Sequence, residues 1–254
     1  MYCVFMKQSK IYIYGRHAVC EALENTPQAV RKVYIAPSQS DAKLRELVKK
    51  TKVPSDILGS KQMQYAEGSA VHQGVIALIS LENLVIPFKT FMYHLKVADS
   101  TAVVLLSHIQ DPHNVGAVIR SSAAFGISGV LIPEHNQAPI TGAVVKVSAG
   151  MAFRVPIVSI GNLNQAVRDL KEAGFTIYGL EGGGKQTLPQ AKFDSPSVFI
   201  LGNEGEGIRQ KTQELCDELL SIPMHPRTES LNAAVSASVA LYAWSSKHPE
   251  ALKK

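Results

Sequence analysis

The chain has 254 residues, enough for one large domain or two modest ones, and its 46% hydrophobic and 19% charged residues exclude a disordered polymer. Three well-separated cysteines (Cys3, Cys20, Cys216) exclude a disulfide framework or a cysteine zinc site, and the eight histidines show no metal-ligand spacing, so no metal is expected. The net charge of +5 is concentrated: residues 1–78 hold 11 Lys/Arg against 6 Asp/Glu, and the remainder hold 15 of each.

The start, MYCVFM, is too short for a signal-peptide core, and no apolar run reaches a membrane-spanning length, so a cytoplasmic protein without a membrane partner is expected. RHAVCEALEN (16–25) predicts a helix, KVYIA (32–36) a strand, and DAKLRELVKK (41–50) an amphipathic helix with apolar Leu44, Leu47 and Val48. VPSDIL (53–58) and VHQGVIALIS (71–80) predict two further strands, which makes residues 1–80 a small α/β domain. Its basic surplus marks either a solvated surface or one that grips a polyanion. LENLVIPF interrupts the pattern with Pro87, and residues 81–99 are expected to be a linker.

Residues 100–254 resume the alternation. TAVVLLSHI (101–109) predicts a buried strand, NVGAVIRSSAAFG (114–126) a helix and GVLIP (129–133) a strand. Helices are then expected in TGAVVKVSAG (141–150) and NLNQAVRDLKEAG (162–174), with a strand in RVPIVSI (154–160) between them. FTIYGLE, SVFILG and LLSIPM predict three more strands before a closing helix, SLNAAVSASVALYAW (230–244). Strands that alternate with helices argue for a mostly parallel sheet covered on both faces, with ligands beyond the carboxyl ends of its strands.

Three stretches invite a chemical reading. GLEGGGKQ (179–186) nearly matches a phosphate-binding P-loop, but Gln186 stands where a hydroxyl should meet magnesium and Pro189 disfavours the helix that would follow. It reads as a solvent loop. LGNEGEGI (201–208) follows a strand with three glycines, yet Glu204 and Glu206 would repel a pyrophosphate. Such a loop is either an acidic turn or a seat for a cationic or sugar-bearing cofactor. In the closing helix, Leu231, Val235, Val239 and Tyr242 predict a buried stripe, the intervening small residues allow close backbone approach, and Ser230 is a candidate N-cap.

DPHNVGAVIRSSAAFG, LGNEGEGI and IPMHPRTESLNAAVSASVALY, in this order, resemble the three motifs of the SpoU/TrmH branch of the SPOUT RNA methyltransferases, over residues 100–246. GRHAVCEAL and HQGVIA resemble the small substrate-binding domain, L30e-like in fold, that precedes the catalytic domain in 23S ribosomal RNA guanosine 2′-O-methyltransferases of this branch. Ala233-Ala234 stand where Val-Ser is commoner in the family, and Met151 where Ala is usual; neither removes a polar group.

The resemblance implies an RNA-binding domain in residues 1–80 and, in residues 100–254, an α/β trefoil-knot methyltransferase domain. It further implies a homodimer, a ribosomal RNA substrate with no role for DNA, and S-adenosylmethionine contacted near Leu201, Gly202, Ile222, Pro223 and Leu231. Catalytic roles carry over to Asn114, Arg120, Glu204, Ser230 and Asn232. Arg120 is a poor base, since its guanidinium stays protonated, and is cast as the group that binds the phosphate beside the target ribose and stabilises a developing alkoxide. Six helical residues turn through roughly 600°, so Asn114 and Arg120 do not share a face. One is then positional, or they meet through a bend or a second subunit. A tRNA methyltransferase of the same branch and a silent RNA-binding assembly protein are the rival readings.

Overall fold

The computed structural model describes residues 9–65, 72–203 and 205–253. The first part runs β1 (Lys10–Tyr14), α1 (Arg16–Asn25), β2 (Val30–Ile35), α2 (Ala42–Thr51), β3 (Ser55–Ile57), α3 (Ser60–Met63) and β4 (Val75–Ser80). Its strands lie in the order β1-β4-β2-β3, with β4 antiparallel to both neighbours. Helix α2 begins where the Asp41 carboxylate accepts from the Leu44 amide at 2.7 Å, and ends on Lys52 in the left-handed conformation. Strand β1 is not among the elements predicted from the sequence.

The chain continues through β5 (Val85–Pro87), α4 (Phe88–His94), β6 (Ala102–Leu106), α5 (Pro112–Ala124), β7 (Gly129–Pro133), α6 (Gly142–Val147) and β8 (Ile157–Ile160). It ends with α7 (Leu163–Glu172), β9 (Thr176–Leu180), β10 (Gln186–Thr187), β11 (Ser197–Leu201), α8 (Gln210–Gln213), β12 (Glu218–Ser221) and α9 (Ala233–Ser245). Eight strands form one sheet in the order β10-β12-β9-β11-β6-β7-β8-β5, and every pairing is parallel. A parallel sheet needs cover on both faces, and β6, β7 and β11 are buried along their whole length. Strand β12 lies between β9 and β10, although the chain forms both earlier. The Ser221 hydroxyl donates to the Gly184 and Gln186 carbonyls, and past α9 the Lys247 ammonium donates to the Ala191 carbonyl. Strand β12 and the segment past α9 thus both bond to residues 184–191. Among the described residues no helix is long and apolar enough to cross a membrane.

Three expectations need correction here. Residues 81–99 are no linker: β5 is the edge strand beside β8, and α4 packs Phe91 into the core with Val103 and Leu131. Pro87 is tolerated because it ends an edge strand. Nor is the apolar stripe of α9 buried, since Val235, Val239 and Tyr242 are 47%, 37% and 63% exposed and the helix buries Ala237, Ala240, Leu241 and Trp244 instead. Finally, Ser230 does not cap α9. Asn232 does, its Oδ1 accepting from the Ala234 and Val235 amides at 2.9 and 3.3 Å.

The two parts share one hydrophobic core, in which Ile13 and Val19 join Val144, Val145 and Phe153. A Cβ at Gly142 would lie 2.2 Å from the Tyr12 carbonyl oxygen, so glycine permits this close approach of β1 to α6. Beside it the Arg154 guanidinium donates twice to the buried Glu21 carboxylate, at 2.6 and 3.1 Å. This pair links α1 to the segment that leads into β8, and the Asn25 amide also donates to the Glu21 carboxylate, at 2.9 Å.

Candidate active site

The site forms at the carboxyl ends of β9, β11 and β12, where Leu180 lies in register with Leu201 on one side and Leu220 on the other. Past Leu201 the chain turns through a hairpin closed by two 3.0 Å bonds between the backbones of Asn203 and Gly207. A Cβ on Gly202 would fall 2.3 Å from the Gly207 carbonyl carbon, so the turn closes only around glycine. The Asn203 amide organises it: Oδ1 accepts from the Gly205 and Glu206 backbone amides, and Nδ2 donates to the His108 carbonyl at 2.9 Å. This last bond ties the hairpin to the end of β6. Burial, then the nearby Arg209, lowers the His108 imidazole pKa, and Glu206 opposes the shift.

A cleft opens between this hairpin and the segment that enters α9. Leu201, Gly202, Leu220, Ile222 and Leu231 form its wall, with Ser230 at the rim. Four of the five expected cofactor positions therefore converge. The fifth, Pro223, is exposed and lies outside the wall between Ile222 and Met224, which belong to it. The stretch read as a solvent loop is also part of the cleft, through Leu180, Glu181 and Gly182. Among the described residues the lining holds no Lys or Arg but includes the carboxylates of Glu181 and Glu229. Such a cleft repels phosphates. Its apolar wall suits a flat heteroaromatic ring, while the acids and open backbone suit hydroxyls and a cationic centre, the chemistry of S-adenosylmethionine.

Next to Leu231, the N-termini of α5 and α9 meet. Asp111 caps α5, accepting from the His113 amide at 2.8 Å, and Pro112 occupies the first turn, where no N–H is required. Asn114 is buried one turn in, and the Asn232 Nδ2 donates to its Oδ1 at 2.9 Å. One side chain thus caps α9 and tethers it to α5. Gly116 lets α6 approach, because a Cβ there would sit 2.8 Å from the Val144 carbonyl oxygen.

Arg120 is elsewhere. Exposed on α5, it lines a groove of about 800 Å³ between the two parts of the chain, with His17 and Arg154 across from it. The structure therefore brings Asn114, Ser230 and Asn232 around the cleft and leaves Arg120 outside it within one chain. Ser121, its neighbour, bonds Ser238 of α9 through their hydroxyls at 2.7 Å, and α9 leaves Val235, Val239 and Tyr242 exposed. Glu204 lies outside the described residues. Sequence reasoning missed Asn203, which directly follows the predicted strand SVFILG, and Glu181, the last residue of the predicted FTIYGLE; both stand at carboxyl ends of strands, where parallel sheets hold ligands.

Comparison with known proteins agrees with this geometry. The SpoU rRNA methylase family profile matches residues 101–242, and the profile for RNA 2′-O ribose methyltransferase substrate binding matches residues 12–84. The 23S rRNA (guanosine-2′-O-)-methyltransferase RlmB of Pectobacterium atrosepticum is 32% identical over 246 residues, covering 91% of this chain and 95% of that protein. An uncharacterised tRNA/rRNA methyltransferase of Synechocystis is 36% identical over 241 residues, covering 91% of this chain and 61% of its own. The crystal structure of the SpoU methyltransferase AviRb of Streptomyces viridochromogenes, in complex with AdoMet, superposes with a TM-score of 0.80 at 22% identity, over 95% of this chain and 91% of that one.

Proposed function

The chain belongs to the SpoU rRNA methylase family, and from that premise we propose that it methylates the ribose 2′-hydroxyl of a guanosine in 23S ribosomal RNA, as a homodimer. The observation that carries this reading is the convergence of Leu201, Gly202, Ile222 and Leu231, from two of the sequence motifs, on one acidic, phosphate-averse cleft beside the Asn114–Asn232 pair. The enzyme uses S-adenosylmethionine, which supplies a methyl group on a sulphonium. The chain's task is to hold the attacking hydroxyl in line and to stabilise the oxygen as its proton leaves.

Asn232 and Asn114 fix the entry to α9, and with it the position of Ser230 and Leu231 against the cleft. Arg120 supplies the charge: its guanidinium binds the phosphate beside the target ribose and favours the developing alkoxide, with proton removal assisted through that phosphate. Because Arg120 lies outside the cleft of its own chain and α9 carries an exposed apolar stripe, Arg120 acts in the cleft of a second subunit packed through Val235, Val239 and Tyr242. The basic first part of the chain, which matches a substrate-binding profile, grips the RNA. The substrate is one found in the cytoplasm, where the enzyme works.

The test is methylation of purified 23S rRNA and of tRNA by the wild-type protein, with sedimentation run in parallel. A dimer that methylates 23S rRNA on a ribose supports the reading. Methylation of tRNA alone would assign it to a tRNA enzyme of the same family, and a monomer at full activity would remove the shared site.

A further inference from the structure

We infer that Glu181 is a cofactor-binding residue whose carboxylate accepts hydrogen bonds from the ribose hydroxyls of the adenosyl group. This inference rests on the cofactor assignment above and concerns a residue in none of the three motifs. Glu181 directly follows β9, and because Leu180 pairs with Leu201, Glu181 and Gly202 emerge side by side from neighbouring parallel strands. An acid at the end of one strand beside a glycine turn at the end of the next is the arrangement by which dinucleotide-binding sheets hold a ribose.

The local structure fixes this carboxylate. The Glu181 amide donates to the Leu220 carbonyl at 3.0 Å, and the Glu181 carbonyl accepts from Gly184 at 3.1 Å, so its backbone is held on both sides. Gln213 of α8 donates from Nε2 to the Glu181 Oε2 at 3.2 Å and to the Ile208 carbonyl at 2.7 Å, which orients the acid toward the glycine hairpin. A Cβ at Gly207 would lie 3.1 Å from Oε2, so a side chain there would crowd the acid. Among the described residues Oε1 has no hydrogen-bond partner, and Glu181 lines the cleft. Two adjacent oxygens, one steadied by an amide and one open, can accept from the two neighbouring hydroxyls of a vicinal diol. The stretch that imitates a P-loop thus contributes an acceptor for sugar where a phosphate loop would contribute donors.

The test is calorimetric titration of the full-length protein with S-adenosylmethionine, S-adenosylhomocysteine and the 2′-deoxyadenosyl analogue of the latter. Glu181→Ala should weaken S-adenosylmethionine and S-adenosylhomocysteine by the same factor, about 10- to 100-fold, as expected for losing a charge-assisted hydrogen bond. Glu181→Gln keeps one acceptor and should lose less. The 2′-deoxy analogue should bind wild type weakly and lose little more in Glu181→Ala, because the two changes remove the same interaction. Thermal melting without ligand should match wild type and report an intact fold. Unchanged affinities in Glu181→Ala would overturn the inference, as would a loss confined to S-adenosylmethionine, which would aim the acid at the sulphonium. Failure of the wild type to bind S-adenosylhomocysteine would instead remove the cofactor assignment beneath it.

Discussion

Gly202→Ala adds one carbon where the hairpin that lines the cofactor cleft has no room for it. The new Cβ would lie 2.3 Å from the Gly207 carbonyl carbon, 2.5 Å from the Ile208 nitrogen and 2.6 Å from the Gly207 oxygen. All three are backbone atoms, so no rotamer change relieves the contact, and the two sides of the hairpin must separate by about 1 Å to reach van der Waals distance. Overpacking of this kind costs about 1–3 kcal/mol, which lowers the melting temperature of a chain this size by roughly 2–12 °C. Function should suffer more than stability, because the displaced strands carry the cleft wall, and a displacement of about 1 Å costs on the order of a hundredfold where geometry is demanding. The neighbouring glycines are built-in controls. A Cβ at Gly205 meets only the Asn203 Oδ1 at 3.6 Å, and one at Gly182 meets nothing within 4 Å. Calorimetric titration with S-adenosylhomocysteine, alongside thermal melting, should find binding lost in Gly202→Ala and kept in Gly205→Ala and Gly182→Ala. Wild-type affinity in Gly202→Ala would refute the cleft assignment.

Arg120→Ala should lower single-turnover methylation by about 10²–10³ with cofactor affinity intact, and Arg120→Lys should rescue only part because it lacks the planar fork; wild-type rates from a stable Arg120→Ala dimer would remove the role. Asn232→Asp keeps the cap acceptor for α9 but sets a second acceptor against the buried Asn114 Oδ1, so stability should fall by about 1–3 kcal/mol and methylation by at least about tenfold; Asn232→Ala should lose about 1 kcal/mol with the cap, and calorimetric melts beside methylation rates check both. Lys49, Lys50 and Lys52 are exposed at the end of α2, and their joint change to Glu should weaken RNA binding and flatten its log–log salt dependence by about 2, at about 0.7 per phosphate contact; an unchanged slope would move the RNA to another surface. Burial pushes the Cys216 thiol up to about 11 from an ordinary value of 9.0, so the folded state holds its proton longer than the unfolded chain does. Its contribution to stability is full below pH ~9 and declines from there to pH ~11, and urea melts across that range should lose this decline in Cys216→Ala.

The sequence was most informative where periodicity and burial coincide. RHAVCEALEN marks α1 to the residue, and GVLIP marks β7, because each is a continuous local pattern with clear ends. It was less informative where an element draws its stability from distant partners. VIP and FKTFMYH are too short to form alone, and they become β5 and α4 only by pairing with β8 and burying Phe91. Periodicity finds an apolar face without saying what covers it: α9 turns its alanines inward and leaves Val235, Val239 and Tyr242 outside. The same limit applies to the site. Motif order brings Ser230, Leu231 and Asn232 to the cleft, but the bond from Asn232 to Asn114 spans 118 positions and follows only from how α9 docks on α5. Glu181 was hidden by its own neighbourhood, since GLEGGGK draws attention to a phosphate motif that its surroundings contradict.

The most direct measurement incubates the purified protein with methyl-labelled S-adenosylmethionine and unmodified 23S rRNA, then locates the label by nucleoside digestion and by resistance of the adjacent phosphodiester to alkali. A ribose 2′-O-methyl group should appear on a single guanosine, with its loss in Arg120→Ala. Label on a base, or none despite bound cofactor, would contradict the assigned chemistry.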